Sequence, residues 1–386
     1  MNPAQAFKRL DWVLILSVLT LVFLGLTTMK SFSPPIGGEQ GGDYFFNRQI
    51  VWIFVGLAVF FVSAIFIDWS FLKTNSIFLM ILYLILILTL VFLILAGRAI
   101  KGAASWLKVG GTSVEPVELI KLIIVLILAK YFSKRHIEIA RILHLAISFL
   151  YAALPMVLVA LQPDLGSALV LGAIWLGMAL VGGIKLKHLL ALFVLGAVAA
   201  LIFWSYFLLP YQKARVISFL NPQSDVSGRG YHAIQSVIAI GSGQIFGKGI
   251  GFGTQSRLEF LPEHETDFIF ADFAEEWGFL GILILLLFFS LVVWRILRAG
   301  IYGESNFEKL YATGLAIFLS FQAGIHIGMN SGVLPITGLG MPFLSYGGSS
   351  LITLFLALGI LESFSLHKKG ILLGGEERYK EGILGA

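Results

Sequence analysis

Cysteine is absent from the 386 residues, and charged residues make up only 13% of them. The first absence excludes disulfides, thiol catalysis and thiolate-bound metal. The second removes the surface a soluble fold needs, since soluble domains carry about 25% charged residues. The seven histidines are scattered and form no H-E-x-x-H pattern, so a helix-borne zinc site has no ligand pair. The net charge of +5 is modest, and no nucleic-acid partner is expected.

What the chain has instead is apolar side chain. Hydrophobic residues are 58% of it, and apolar stretches recur from residue 11 to residue 366. The length alone allows two or three soluble domains, but that prior does not apply to such a chain. The first apolar run follows Lys8 and Arg9 and has no small-residue cleavage site after it. It spans about 20 residues and reads as a retained helix rather than a signal peptide.

A spanning helix needs about 20 mostly apolar residues. Candidate spans lie near 11–30, 47–67, 75–96, 114–132, 144–162, 166–184, 188–209, 268–294, 309–329 and 348–366. The expected fold is an all-α polytopic membrane protein of ten transmembrane helices, forming one membrane domain over 1–386. Basic residues in short loops set orientation. With a cytoplasmic N-terminus, the inside segments hold 16 of the 27 basic residues, and every inside loop has at least one. An even number of spans then puts both termini inside, with a cytoplasmic tail at about 367–386.

One large extracytoplasmic loop, about 210–267, is expected between the seventh and eighth spans. It carries Lys213, Arg215, Arg229, Lys248 and Arg257, interleaved with aromatic residues. Its moderately apolar stretch, Ala233 to Ile240, suits a short amphipathic or re-entrant helix. Gly241, Gly243, Gly247, Gly249, Gly251 and Gly253 surround Lys248 but do not form a P-loop, because Gly247-Lys248 is followed by Gly249. Two readings stand: a flexible hinge, or exposed amides beside a lysine that cradle phosphate.

The loop ends in an acidic run containing Glu259, Glu263, Glu265 and Asp267, and Asp267 abuts Phe268-Ile269-Phe270. A carboxylate at an apolar boundary is partly desolvated, which suits a general base. Thr266 and Asp267 also suit a helix N-cap, and the two roles are compatible. Ionisable residues at membrane depth are functional candidates by default. Glu118 and Lys121 are three apart, so they share a helix face and can pair, either as a packing ion pair or as the lining of a substrate cavity. Asp164 sits where two spans meet, and Asp272, Glu275 and Glu276 follow Asp267 at helical spacing. From Asn330 to Ser350, Gly and Pro recur without helical period in an apolar segment, so this backbone must be buried in protein or line a cavity.

That last segment resembles the C-terminal signature of the shape, elongation, division and sporulation (SEDS) family, best known through RodA and FtsW. The resemblance covers nearly the whole chain. It includes Asp11-Trp12, Trp106 with Glu115-Pro116-Val117-Glu118 and Lys121, Gln162-Pro163-Asp164-Leu165-Gly166, Gly230-Tyr231 with Gln235-Ser236, and Phe260-Leu261-Pro262-Glu263 through Thr266-Asp267-Phe268. Phe219-Leu220-Asn221-Pro222 and the short tail look more like the RodA branch. The resemblance implies a ten-helix glycosyltransferase that polymerises lipid II into peptidoglycan strands on the outer face of the bacterial cytoplasmic membrane. It implies a class B penicillin-binding protein as partner. The family's essential loop aspartate falls on Asp267, and its polar membrane residues fall on Glu118, Lys121 and Asp164. The chain departs from the family in Glu115-Pro116-Val117-Glu118 for Gln-Pro-Ser-Glu, in Ser105 before Trp106 where the family has arginine, and in Glu265-Thr266-Asp267 for His-Thr-Asp.

The chemistry fits the residues. A lipid pyrophosphate leaving group needs cationic stabilisation, and Arg215 and Lys248 lie outside to supply it. An acceptor hydroxyl needs a base, assigned to Asp267, and Glu259 joins the expected substrate contacts. One displacement at an α-linked donor gives a β-linkage without a covalent intermediate. A divalent cation, magnesium or manganese, is a further expectation, although the sequence shows no site for it. Membrane lipids surround the spans. A lipid transporter or flippase and a non-catalytic scaffold are the competing classes. The absence of a clear internal repeat counts against the transporter.

Overall fold

The computed structural model describes residues 3–31, 41–96, 106–109, 112–134, 142–202, 205–206, 213, 217–221, 223, 228–257, 261 and 265–367. Its helices in chain order are α1 (Pro3–Arg9), α2 (Trp12–Ser31), α3 (Gly41–Phe61, running into a π turn at Val62–Phe66), α4 (Phe71–Thr74), α5 (Ser76–Ala96), α6 (Pro116–Lys134), α7 (Ile142–Leu161), α8 (Leu165–Val181) and α9 (Leu186–Ile202). They continue with α10 (Arg229–Ser242), α11 (Thr254–Arg257), α12 (Ile269–Ile301), α13 (Asn306–Asn330) and α14 (Gly348–Leu366). A two-stranded antiparallel ribbon, β1 (Leu107–Val109) and β2 (Thr112–Val114), precedes α6 and pairs Leu107 with Val114.

Each of the ten segments read as spans falls on a helix. By length and apolarity, seven helices among the described residues can cross a membrane: α2, α3 with its π turn, α5, α7, α12, α13 and α14. The chain is a polytopic all-α membrane protein. Large apolar side chains point outward along these helices, among them Phe54, Ile77, Leu88 and Leu95. Such a belt is unfavourable in water and suits contact with acyl chains.

The centre of the bundle is α6. Residues on all its faces are buried, from Val117 through Phe132, as expected of a helix that is apolar all round. It packs against α13, α5, α8 and α14. At one end of the bundle, Arg295 pairs with Asp11 at 2.5 Å, and the Asp11 amide donates to Glu362 at 3.1 Å. These bonds tie the start of α2 to the ends of α12 and α14.

The helix α12 has 33 residues, about 50 Å if it were straight, against an apolar core of about 30 Å. It is not straight. Gly278, at φ 64° and ψ −166°, divides it into Ile269–Trp277 and Phe279–Ile301. A break in apolar surroundings strands backbone groups that must find partners in protein. The segment 244–249 supplies them. Amides of Lys248 and Gly249 donate to the carbonyls of Glu275 and Glu276 at 2.9 and 3.0 Å. Amides of Phe279 and Leu280 donate to Gln244 and Ile245 at 2.9 and 3.1 Å. Two backbones meet at this point, and a Cβ on Gly278 would stand 2.2 Å from the Gly247 amide nitrogen. Gly278→Ala combines that clash with a left-handed φ. It is expected to destabilise the protein by at least about 2 kcal/mol, read as a lowered melting temperature in detergent.

Candidate active site

Lys121, on the central helix, is fully buried. Its ammonium donates to Glu118 at 2.7 Å and to Gln322 of α13 at 3.2 Å, and lies 5.8 Å from the centre of the Phe318 ring. Gln322 donates in turn to the carbonyl of Gly340 at 3.0 Å. One turn further along α13, His326 Nδ1 lies 2.7 Å from the carbonyl of Leu339. A carbonyl only accepts, so in the neutral ring Nδ1 carries the proton and Nε2 is the acceptor. Glu118 Oε2 and His326 Nε2 are buried without a partner among the described residues. Both have hydrogen-bonding capacity left for a ligand.

Asp267 lies immediately before α12. Its Oδ2 is 3.6 Å from where a Cβ on Gly338 would be, so the 338–340 backbone passes beside the carboxylate. The neighbouring backbone is held on several sides. Asn330 Nδ2 donates to the Asp267 carbonyl at 2.9 Å, Ser345 Oγ to the Thr266 carbonyl at 2.9 Å, and the Tyr346 amide to the Glu265 carbonyl at 2.9 Å. Burial raises the Tyr346 hydroxyl above the ordinary tyrosine range, with Arg48 opposing the shift, so this ring stays protonated at neutral pH. The residue capping α12 is Phe268, not Thr266 or Asp267, and its side chain closes no cap bond.

These groups converge. Glu115, just before α6, is within electrostatic reach of Glu118, Asp164, Lys121 and Asp267. Asp164 caps α8, accepting the Ser167 amide at 2.9 Å. Gly166 in the same turn packs against Leu339 and Thr337. The starts of α6, α8 and α12 and the 337–349 segment therefore enclose one polar site. Among the described residues, Glu118, Asp164, Asp267 and the ammonium of Lys121 all lie within electrostatic reach of the Glu115 carboxylate. Among the described residues no three His, Cys, Asp or Glu side chains are arranged to hold a metal ion.

Lys248 is placed differently. It pairs with Glu275 at 2.6 Å and donates to Thr254 Oγ1 at 2.8 Å. Amides of the glycine-rich run, which sequence reasoning opened to phosphate, bond to the protein's own carboxylates. Thr254 donates to Glu275 Oε1 and Gly251 to Glu276 Oε1, both at 3.0 Å. Arg215 and Glu259 lie outside the described residues. Sequence reasoning did not assign Gln322, His326 and Asn330, although polar residues four apart on one face of an apolar helix are a usable signal. It quoted Glu115 without giving it a role.

This geometry defines a helical membrane protein with a carboxylate-rich site at the ends of several packed helices. The FtsW/RodA/SpoVE cell cycle protein family model matches residues 11–370, and the chain belongs to that family. It is 36% identical over 366 residues to the peptidoglycan glycosyltransferase MrdB of Escherichia coli K12, covering 94% of this chain and 95% of the relative. It is 33% identical to stage V sporulation protein E of Bacillus subtilis, covering 93% and 98%. Its fold is similar to a chain from a peptidoglycan synthase complex that coordinates polymerization and crosslinking, with TM-score 0.77 and 31% identity over 93% of this chain and 99% of that one. The rod shape-determining protein RodA of Thermus thermophilus superposes with TM-score 0.67 and 29% identity, covering 93% and 98%.

The two readings of Glu118–Lys121 separate in one experiment. Lys121→Met leaves a buried carboxylate unpaired and is expected to cost about 3–5 kcal/mol. Adding Glu118→Gln removes that charge and is expected to restore most of the melting temperature. If the pair lines a substrate cavity, the restored double variant stays inactive. If the pair only packs helices, activity returns with stability.

Proposed function

We infer that this chain is a peptidoglycan glycosyltransferase of cell elongation in the bacterial inner membrane, polymerising lipid II on the outer face. The observation that carries this reading is the convergence of Asp267 with Glu118, Lys121 and Asp164, in a chain aligned over 94% of its length with a peptidoglycan glycosyltransferase. We take the ten helices that match the sequence segments as ten spans, with both termini cytoplasmic and the 210–267 loop outside. The bias of basic residues toward the inner segments supports that orientation.

Asp267 serves as the base that takes the proton from the acceptor sugar hydroxyl. Attack on the α-linked donor carbon breaks its bond to pyrophosphate in one displacement with inversion, and the lipid pyrophosphate leaves. Lys121, oriented by Glu118 and Gln322, and Asp164 contact the substrate. Arg215 and Lys248 are assigned to the pyrophosphate and Glu259 to the sugar–peptide portion. Lys248 is already balanced by Glu275, so Arg215 is the stronger cationic candidate. A divalent cation is part of the proposal because the carboxylates around Glu115 outnumber Lys121 among the described residues, which makes the site a poor host for a bare pyrophosphate. A class B penicillin-binding protein is the proposed partner, supported by the likeness to a chain of a complex that couples polymerization to crosslinking.

The test is polymerisation of labelled lipid II by the purified protein with its transpeptidase, in a mixture free of other polymerases. Asp267→Asn is expected to lower the rate by at least about 100-fold while remaining folded. Chelation by EDTA is expected to stop the wild type, with magnesium or manganese restoring it. Equal polymer from both proteins would remove Asp267 from the chemistry. No polymer from either, with the partner bound, would favour a transporter or scaffold.

A further inference from the structure

The first turn of an α-helix leaves amides without intrahelical partners, and the residue before it usually supplies a side-chain oxygen. At the start of α12 that residue is Phe268, whose side chain has none to give. Asp267, one position earlier, is a residue type strongly favoured at such ends. A contact to this turn also comes from a different helix. Asn330, the last residue of α13 and fully buried, places its Oδ1 3.3 Å from the amide of Ala271 in the first turn of α12, an amide shared with the Phe268 carbonyl at 2.9 Å. The same side chain donates from Nδ2 to the carbonyls of Asp267 and His326, both at 2.9 Å. The His326 bond lies within α13 and orients the amide group, so the remaining bonds act as a rigid hook on residues 267–271.

Asn330 is the end of a polar face. Gln322, His326 and Asn330 are spaced four apart along α13, and each fixes a piece of the site. Gln322 holds Lys121 and Gly340, His326 meets Leu339, and Asn330 holds Asp267. The 338–340 backbone beside the Asp267 carboxylate and the backbone of Asp267 itself are thus referenced to one helix. A single rigid element setting both partners is what a reacting group needs, because small displacements at the reacting centre are costly.

We propose that Asn330 is the positioning residue for Asp267: from the end of α13 it holds the Asp267 carbonyl and the first turn of α12, and so fixes the direction of the Asp267 carboxylate toward the acceptor hydroxyl. This rests on the reading of Asp267 as the base. Asn330 touches no reacting atom, so its removal acts on turnover rather than on substrate affinity.

The experiment compares four variants in complex with the transpeptidase, in the lipid II polymerisation assay, with melting temperature measured alongside. Asn330→Ala removes every side-chain bond. Asn330→Asp keeps an acceptor for the Ala271 amide and loses the donor to the Asp267 carbonyl. Ser236→Ala is the structural control, because it deletes the 2.8 Å bond from Ser236 Oγ to the Asn330 main-chain carbonyl and a longer 3.4 Å bond to Asn330 Oδ1, and leaves both Nδ2 bonds of Asn330, to Asp267 and His326, in place. Asp267→Asn reports on the base. Asn330→Ala and Asn330→Asp are expected to lower kcat about 10- to 100-fold with KM little changed, the scale expected for misplacing a catalytic group. Ser236→Ala is expected to lower the melting temperature while keeping wild-type kcat. Wild-type kcat in the folded Asn330 variants beside an inactive Asp267→Asn would overturn the positioning role and leave the base intact. A kcat loss in Ser236→Ala that matches its loss of stability, on the same line as the Asn330 variants, would also overturn it. Full activity in Asp267→Asn would overturn both assignments.

Discussion

Backbone polar groups in an apolar surround must be bonded within the protein, and in this fold that demand falls most heavily on the break in α12. Four backbone hydrogen bonds between residues 244–249 and the break take over from the helix ladder. They form only because glycine stands on both sides of the contact, at Gly247 and Gly278. The consequence is geometric. The break sets off the short piece Ile269–Trp277 from the long piece Phe279–Ile301, and Asp267 sits at the free end of the short one. The same contact fixes the glycine-rich run, whose amides and Lys248 then meet Glu275 and Glu276. A carboxylate pair that would be costly in this setting is met in large part by donors from this run.

The second expensive element is the ion pair on α6. Removing Lys121 and Glu118 from water costs several kcal/mol per ion, and the attraction between them offsets that only with good geometry and further hydrogen bonds. Lys121 has one such bond, to Gln322, but Glu118 leaves one buried oxygen without a partner among the described residues. An arrangement chosen for stability alone would be apolar here, as the rest of α6 is. The incomplete satisfaction of Glu118 and of His326 in the same region fits groups kept for a ligand rather than for packing.

Much of this was legible in the sequence, for a physical reason. Helix positions followed from the length of apolar runs, since a membrane enforces that length. Glu118, Lys121 and Asp267 stood out because charge at apolar positions is costly and therefore informative. The irregular 330–350 segment had to be enclosed, and the structure folds it against Gly25 of α2, Gly166 of α8 and the backbone of Thr266. What stayed hidden depends on contacts distant in sequence. No local pattern shows that the glycine run faces Glu275 and Glu276 instead of open space. None shows that an asparagine 59 residues from Ala271 reaches its amide, so Thr266 and Asp267 looked like the caps. Local capping preference was the right rule, but it does not reveal an acceptor that comes from another helix.

That contact bears on the charge balance of the site. An aspartate that capped α12 would have its carboxylate turned to the helix amides, stabilised as an anion and less basic. Here a neutral side chain, Asn330, reaches the Ala271 amide of that first turn. Asp267 belongs to a neighbourhood of like charge, since Glu115 is within electrostatic reach of it as well as of Glu118, Asp164 and Lys121. A cluster of like charge repels an anionic donor, so the cations that neutralise the pyrophosphate have to come from outside this group of residues. Acceptor activation and donor stabilisation therefore belong to different parts of the molecule. The base is set by buried helix ends, and the leaving group is met by the basic loop residues and by any ion that arrives with the substrate.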